Sequence, residues 1–382
     1  MKTLYTKALI LIMFFVAVAG IAKAQQNEDL LNILIKKGLV TQAEADSIRS
    51  EQAVKEAAKR DKDKANQHSL TIGSKALQIS GLAQIRYQGF EQTGVNNAFD
   101  LHRIRLIVQG SVSDQFSYYT QTELGGTGVK LIDAYVSYKP AEFFKFSAGQ
   151  FKIPFSGESL TSDAVLDFID RSQVVEALAG RSKDVIGNQQ GRDIGVQISG
   201  NLFKTNDRYL FDYTLAILNG AGYDVTTDNN GFKDFAGRLG FHPVKGLDLG
   251  TDLYSGEGIP AVPAGGTKSQ YRARYGFDGR YVIGPLSFAA EYDHGTDAAI
   301  KKDGWFVQAG YAIIPQVQVV ARYDTFDPNK AIGTDRATIY AGGLNFTFNK
   351  WTKLAIDYLD RREETATQIK NNIFEAQLQL AF

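Results

Sequence analysis

Cysteine is absent from the 382-residue sequence, and methionine (2), tryptophan (2) and histidine (4) are scarce. Without cysteine there is neither a disulfide framework nor a thiolate metal site, so any chemistry must proceed without sulfur. No charge of one sign dominates: 42 basic residues balance 42 acidic ones, which argues against nucleic-acid binding by bulk electrostatics. Catalytic signatures are missing too, since neither G-x-S-x-G nor H-E-x-x-H occurs. The histidines lie on separate segments, and only His294 has a carboxylate beside it, Asp293, which reads as a loop-edge pair. The expectation is a protein that is not an enzyme, with no metal site and no cofactor.

Long apolar runs are lacking as well, except one at the start. Lys2 and Lys7 flank the beginning of an uncharged apolar stretch from Ala8 to Ala22, and Ala22-Lys23-Ala24 supplies an A-x-A cleavage pattern. This is the pattern of a secretory signal peptide over residues 1–24. At roughly 15 residues the run falls short of the roughly 20 that a membrane-spanning helix needs. Removing Lys2, Lys7 and Lys23 leaves 39 basic against 42 acidic residues, a mature charge of −3. An exported chain of this kind is periplasmic, secreted or an outer-membrane barrel.

From about residue 25 to 70 the pattern is helical. Leu30, Leu31, Leu34 and Ile35 recur at helical spacing, Gly38 ends that unit, and Thr41 with Glu44 forms a capping box for a second helix. Two readings fit: a periplasmic coiled-coil or oligomerisation segment, or a solvated linker helix with a small core of its own.

From Leu77 the period changes from 3.6 to 2. Leu77, Ile79, Ala83, Ile85 and Tyr87 share one face, while Gln78, Ser80, Gln84, Arg86 and Gln88 share the other. Sixteen such runs can be counted to Phe382, many of the roughly 9 to 11 residues that cross a membrane when tilted. Long and short connections largely alternate, as in barrels whose external loops are longer than their periplasmic turns. Phe (24), Tyr (18) and Gly (37) are plentiful, a profile suited to strands with aromatic rims. The polar faces are dense with charge, which a sandwich core would not tolerate and a water-filled lumen requires. The fold class predicted is all-β: a 16-stranded antiparallel transmembrane barrel over 77–382, ending on an aromatic residue.

One stretch, 154–190, refuses to alternate. Together with its flanks it contains Asp133-Ala134-Tyr135, Lys139-Pro140, Gly149-Gln150-Phe151-Lys152, Pro154-Phe155, Glu158, Arg192-Asp193 and Gly195. These residues resemble the phosphate-selective porin O and P family. The resemblance implies an outer-membrane barrel, commonly trimeric, with an inwardly folded third loop and a basic pore. Phosphate selectivity is not carried over by it, because the mature chain is slightly acidic.

The residues add a constriction to that picture. Carboxylates Glu158, Asp163, Asp167, Asp170 and Glu176 of the third loop are expected to face basic wall residues, first among them Arg86, Arg103, Arg105 and Lys145. Opposed charges across a narrow aqueous eyelet orient polar solutes and set ion preference. For Arg103 and Arg105 individually, structural salt bridges are the competing reading. Arg238 and Arg322 complete the candidate basic lining with Arg272, Arg274 and Arg280, whose even spacing reads either as an anion ladder interrupted by Asp278 or as a solvated polar face. The function predicted is a porin of a Gram-negative outer membrane, surrounded by lipid, passing small hydrophilic or anionic solutes by diffusion as a homotrimer. The alternative is a non-conducting outer-membrane scaffold or ligand-binding barrel.

Overall fold

The computed structural model describes residues 36–37, 75–126, 128–179, 191–205, 207–228, 230–258, 269–365 and 368–382. The expected signal peptide and helical segment lie outside the described residues, apart from Lys36 and Lys37. The alternating runs become β1 (Gln78–Phe90), β2 (Ala98–Ser111), β3 (Phe116–Glu123), β4 (Lys130–Ala141), β5 (Phe144–Lys152), β6 (Arg192–Lys204), β7 (Tyr209–Leu218) and β8 (Asp234–Phe241). They continue as β9 (Leu247–Gly258), β10 (Gln270–Ile283), β11 (Leu286–Asp297), β12 (Ile300–Ile314), β13 (Val317–Asp327), β14 (Ala337–Thr347), β15 (Thr352–Glu363) and β16 (Ile373–Ala381). All sixteen pair antiparallel with their chain neighbours, and β1 pairs with β16 to close the barrel. The seam is sealed at one end by Phe382, whose N–H donates to the Gly81 carbonyl at 3.0 Å while the Gly81 N–H donates to Phe382 at 2.7 Å.

The period-2 pattern sorts side chains as predicted. Leu215, Phe235, Leu253, Phe277, Trp305 and Tyr311 are exposed on the outside, where a bilayer covers them. Outward aromatics also touch across strands, as Trp305, Tyr323 and Tyr340 do. Arg105, Asp133, Asp252, Glu291, Asp357 and Glu375 are buried, facing in. Among the described residues no helix is long and apolar enough to cross a membrane; the strands do the crossing.

One sequence expectation changes here. The connection between β11 and β12 is only two residues long, because pairing runs on to Asp297 and Ile300 and Ala298 turns with φ 53°. For the same reason Asp293 and His294 are not a loop edge but lie within β11. Asp293 points inward, fully buried, and His294 stacks on Tyr275 at 4.9 Å.

The third loop folds into the lumen. Ser156 caps a short helix α1 (Gly157–Leu160) from a left-handed conformation with φ 70°, its hydroxyl accepting the Ser159 N–H at 3.0 Å. A 3₁₀ turn follows over Asp163–Val165, and Ser172 then caps α2 (Gln173–Leu178). Apolar side chains fix the loop at three places. Phe155, Val174, Val175 and Leu178 pack with Leu218, Ala236, Tyr254 and Phe306; Phe168 packs with Val320, Ile339 and Leu359; Ala164 packs with Leu82 and Ala381.

Candidate functional site

A loop inside a barrel carries backbone groups that must find partners away from bulk water, and here the wall supplies them. Glu291 accepts the Glu158 N–H at 2.9 Å, Asp357 the Ile169 N–H at 2.7 Å, and Asp324 the Gln173 N–H at 2.8 Å. Cations and amides serve the loop carbonyls. Lys152 donates to Ser159, Leu160 and Thr161, Lys353 to Leu166, Asn345 to Asp167, and Arg322 to Asp170. Glu291, Asp324 and Asp357, on β11, β13 and β15, are therefore loop holders, a use that polarity patterning does not reveal.

The lumen stays open along β1 to β4, with residues of β13 to β16 bordering its loop-end part. Two cavities lie there, one of ≈ 530 Å³ toward the Phe382 end and one of ≈ 430 Å³ toward the loop end. The first is lined by Ser80, Ile107, Gln121, Asp133 and Arg192, the second by Arg86, Lys130, Asp170, Glu176 and Arg361. Arg105 lines both. Its guanidinium donates to Glu123 at 2.9 Å and pairs with Asp163 of the loop. Asp163 also pairs with Arg171 and lies 3.5 Å from Arg103, which donates to the Gln84 side chain at 2.9 Å and lies 3.2 Å from His102 Nδ1.

Two β-bulges shape this wall. His102 is the extra residue between Leu101 and Arg103 opposite β1, and Ile132 the extra residue between Leu131 and Asp133 opposite β3. A bulge re-aims the residue it inserts, and both residues line the loop-end cavity. Within β5, Gly149 holds φ 133°, and a Cβ there would lie 2.2 Å from the Ala134 carbonyl. Only glycine allows β5 to run that close to β4 in this conformation.

The predicted site residues divide accordingly. Arg86 reaches Asp100 at 2.7 Å, Asp170 at 3.0 Å and Glu375 at 3.3 Å. Asp170 keeps 38% of its side chain exposed. Enclosure by the barrel opposes its ionisation, but His102, Arg86, Arg103 and Arg322 outweigh that and hold its pKa below the ordinary aspartate value. Arg322 also lies 3.6 Å from Glu158 and 4.5 Å over the Phe168 ring. Glu158 caps α2, accepting the Ser172 N–H at 2.8 Å, and Asp167 accepts from Gln308 at 3.3 Å.

Elsewhere Lys145 lies over Tyr135 and lines a separate cavity of ≈ 420 Å³ near the Phe382 end. Arg238 is clasped by Asp252 at 2.7 Å and Asp278 at 2.6 Å. Arg272 and Arg274 are 1% and 3% exposed, Arg272 over Tyr254 and Arg274 tied to Asp297 at 2.7 Å, so neither stands on an open or solvated face. Arg280 is half-buried at the Phe382 end, paired in register with Asp248.

Sequence reasoning missed Arg171, which pairs with Asp163 and donates to the Glu158 and Thr161 carbonyls. Its signal was available: it is the one basic residue within the acidic run from Glu158 to Glu176. It offsets Asp163. The loop-end cavity thus carries seven basic residues (Arg86, Arg103, Arg105, Lys130, Arg171, Arg322, Arg361) against three acidic ones (Glu123, Asp170, Glu176). Among the described residues no cluster of three or more His, Asp or Glu is placed to hold a metal ion.

Comparison with known proteins agrees with this architecture. Residues 82–382 match the family described as phosphate-selective porin O and P. An anion-selective porin from Comamonas acidovorans is similar in structure, with a TM-score of 0.62 at 14% identity, covering 80% of this chain and 99% of that one. OmpT from Vibrio cholerae, solved as a trimer form, gives 0.60 at 13% identity over 80% and 99%. The outer-membrane channel DcaP of Acinetobacter baumannii gives 0.56 at 13% over 82% and 99%. In sequence, an uncharacterized Caulobacter vibrioides protein is 24% identical over 246 residues, 62% of this chain, and the chain spans about half (48%) of that relative's length.

Proposed function

The chain belongs to the phosphate-selective porin O and P family and is a Gram-negative outer-membrane porin; on that premise we propose that it passes small solutes by passive diffusion along the β1–β4 wall, preferring anions. The observation that carries the reading is the shared lining residue: Arg105 borders both cavities, so a solute moving between them passes its guanidinium. The loop end is external and the Phe382 end periplasmic in this reading. An entering anion meets the basic excess of the loop-end cavity, passes beside the ion-paired cluster of Arg105, Arg103, Asp163 and Arg171, and leaves past Gln121 and Asp133. Fixed charge at a narrow wet point selects by sign without an energy source.

The acidic loop residues do not reverse that preference. Asp163 is shared by three guanidinium groups, Glu158 is turned to capping α2 and to Arg322, and Asp170 is held by Arg86 and His102. The homotrimer expected from the sequence remains part of the proposal; it is supported by one similar structure, the OmpT solved as a trimer form.

Planar-bilayer recording under a potassium chloride gradient tests the reading. Stepwise conductance with a reversal potential of the sign for chloride preference is expected, and Arg103→Glu with Arg105→Glu together move it toward the potassium side. Absence of conductance steps, or a double variant with unchanged reversal potential, overturns it.

A further inference from the structure

The open half of the lumen is not uniformly polar. In the loop-end cavity the guanidinium groups of Arg86, Arg103 and Arg105 share space with partly exposed Ile373 and the uncovered edges of Ile339 and Leu359. In the other cavity, Arg105 and Arg192 share space with Leu82, Ile107, Phe151 and Tyr119. A wet lumen needs only polar side chains, so apolar surface beside guanidinium in both chambers is a recognition feature.

Resting on the anion-preferring reading above, we infer that the solute this pore favours is an organic anion with an apolar body, an alkyl or aryl carboxylate or sulfonate, rather than inorganic phosphate. Such a solute pairs its charged oxygens with the guanidinium forks while its body displaces water from the aliphatic side. A small hydrated anion gains nothing from that side and must give up part of its own hydration to pass it. The two chambers repeat the same pairing of charge and apolar surface, so a solute handed past Arg105 meets a like environment beyond it.

The test is reversal potentials of the purified full-length chain in planar bilayers under gradients of potassium chloride, phosphate, gluconate and benzenesulfonate. Benzenesulfonate stays ionised and does not cross lipid as a neutral acid, and gluconate is an organic anion of similar size with a hydroxylated body. The expected result is a benzenesulfonate permeability higher than that of gluconate or phosphate by roughly threefold or more. Ile107→Asn with Ile373→Asn, one partly exposed residue in each chamber, is expected to bring that ratio toward one. Chloride preferred over potassium, with benzenesulfonate no better than gluconate, overturns the inference and leaves the anion-preferring reading standing. No preference for chloride overturns that reading first. A wild-type advantage for benzenesulfonate that persists undiminished in the folded double variant sinks the assignment to this apolar wall.

Discussion

The two halves of the barrel wall obey the same alternation and put it to different uses. On β1 to β4 the inward charges border water: Arg86, Arg103 and Arg105 face cavities and share their partners with the tip of the loop. On β11, β13 and β15 three inward carboxylates border peptide: Glu291, Asp324 and Asp357 accept loop N–H groups, with Phe168 and Leu178 packed among them. A polar inward face therefore states only that a side chain points to the lumen. What it does there depends on whether water or the loop occupies the space in front of it.

The sharpest way to break this comparison is to remove loop holders. Asp324→Ala with Asp357→Ala leaves the Gln173 and Ile169 N–H groups without acceptors, at about 1–3 kcal/mol each. Larger and noisier single-channel conductance with weaker ion selectivity is expected, because the loop gains freedom; an unchanged trace would mean that apolar packing alone fixes it. Next in size is Arg238→Gln, which strands Asp252 and Asp278 together behind it. Removing one partner of a buried ion network costs about 3–5 kcal/mol, reduced here because 16% of the Arg238 side chain is exposed. The heat resistance of the folded barrel on gels is expected to fall while the reversal potential stays put; a shifted potential would place Arg238 on the solute path.

The smallest effect expected is at the periplasmic rim. His242, in the turn after β8, bonds Asp212 at 2.6 Å and Asp248 at 2.7 Å. Partial burial lowers its pKa, but the two carboxylates raise it further, and the net shift is upward from 6.5. The bonus this gives to folding is therefore complete below about pH 6.5, where unfolded histidine is charged too, and fades as pH rises through the higher folded value. The protection factor for hydrogen exchange in the turn 242–246, referred to the intrinsic rate at each pH, is expected to fall above that value in the wild type, and His242→Gln is expected to make the protection factor independent of pH.

Much of the fold was legible because period 2 is a strong signal when both faces matter. Sixteen runs became sixteen strands, with ends moved by only a few residues, and the stretch that broke alternation became the lumenal loop. The loop's contacts were less legible. Asp324 and Asp357 look the same in sequence as Asp133, and only the positions of Gln173 and Ile169 in front of them separate their roles. The evenly spaced Arg272 and Arg274 suggested a ladder, yet Tyr254 and Asp297 cover them. The bulges at His102 and Ile132 left no mark, because one extra residue merely shifts the alternation and a strand of 14 or 12 residues absorbs the slip.

The absence of native cysteine allows the central claim, that solute passes Arg105 and not the packed wall, to be tested directly. Single-channel current through Arg105→Cys is recorded before and after a membrane-impermeant, negatively charged methanethiosulfonate is added, with Ala341→Cys, which packs in the Phe168 cluster, as the comparison. A stepwise fall in current and loss of chloride preference are expected at position 105, with no change at 341. An unresponsive Arg105→Cys channel, or equal block at both positions, would contradict it.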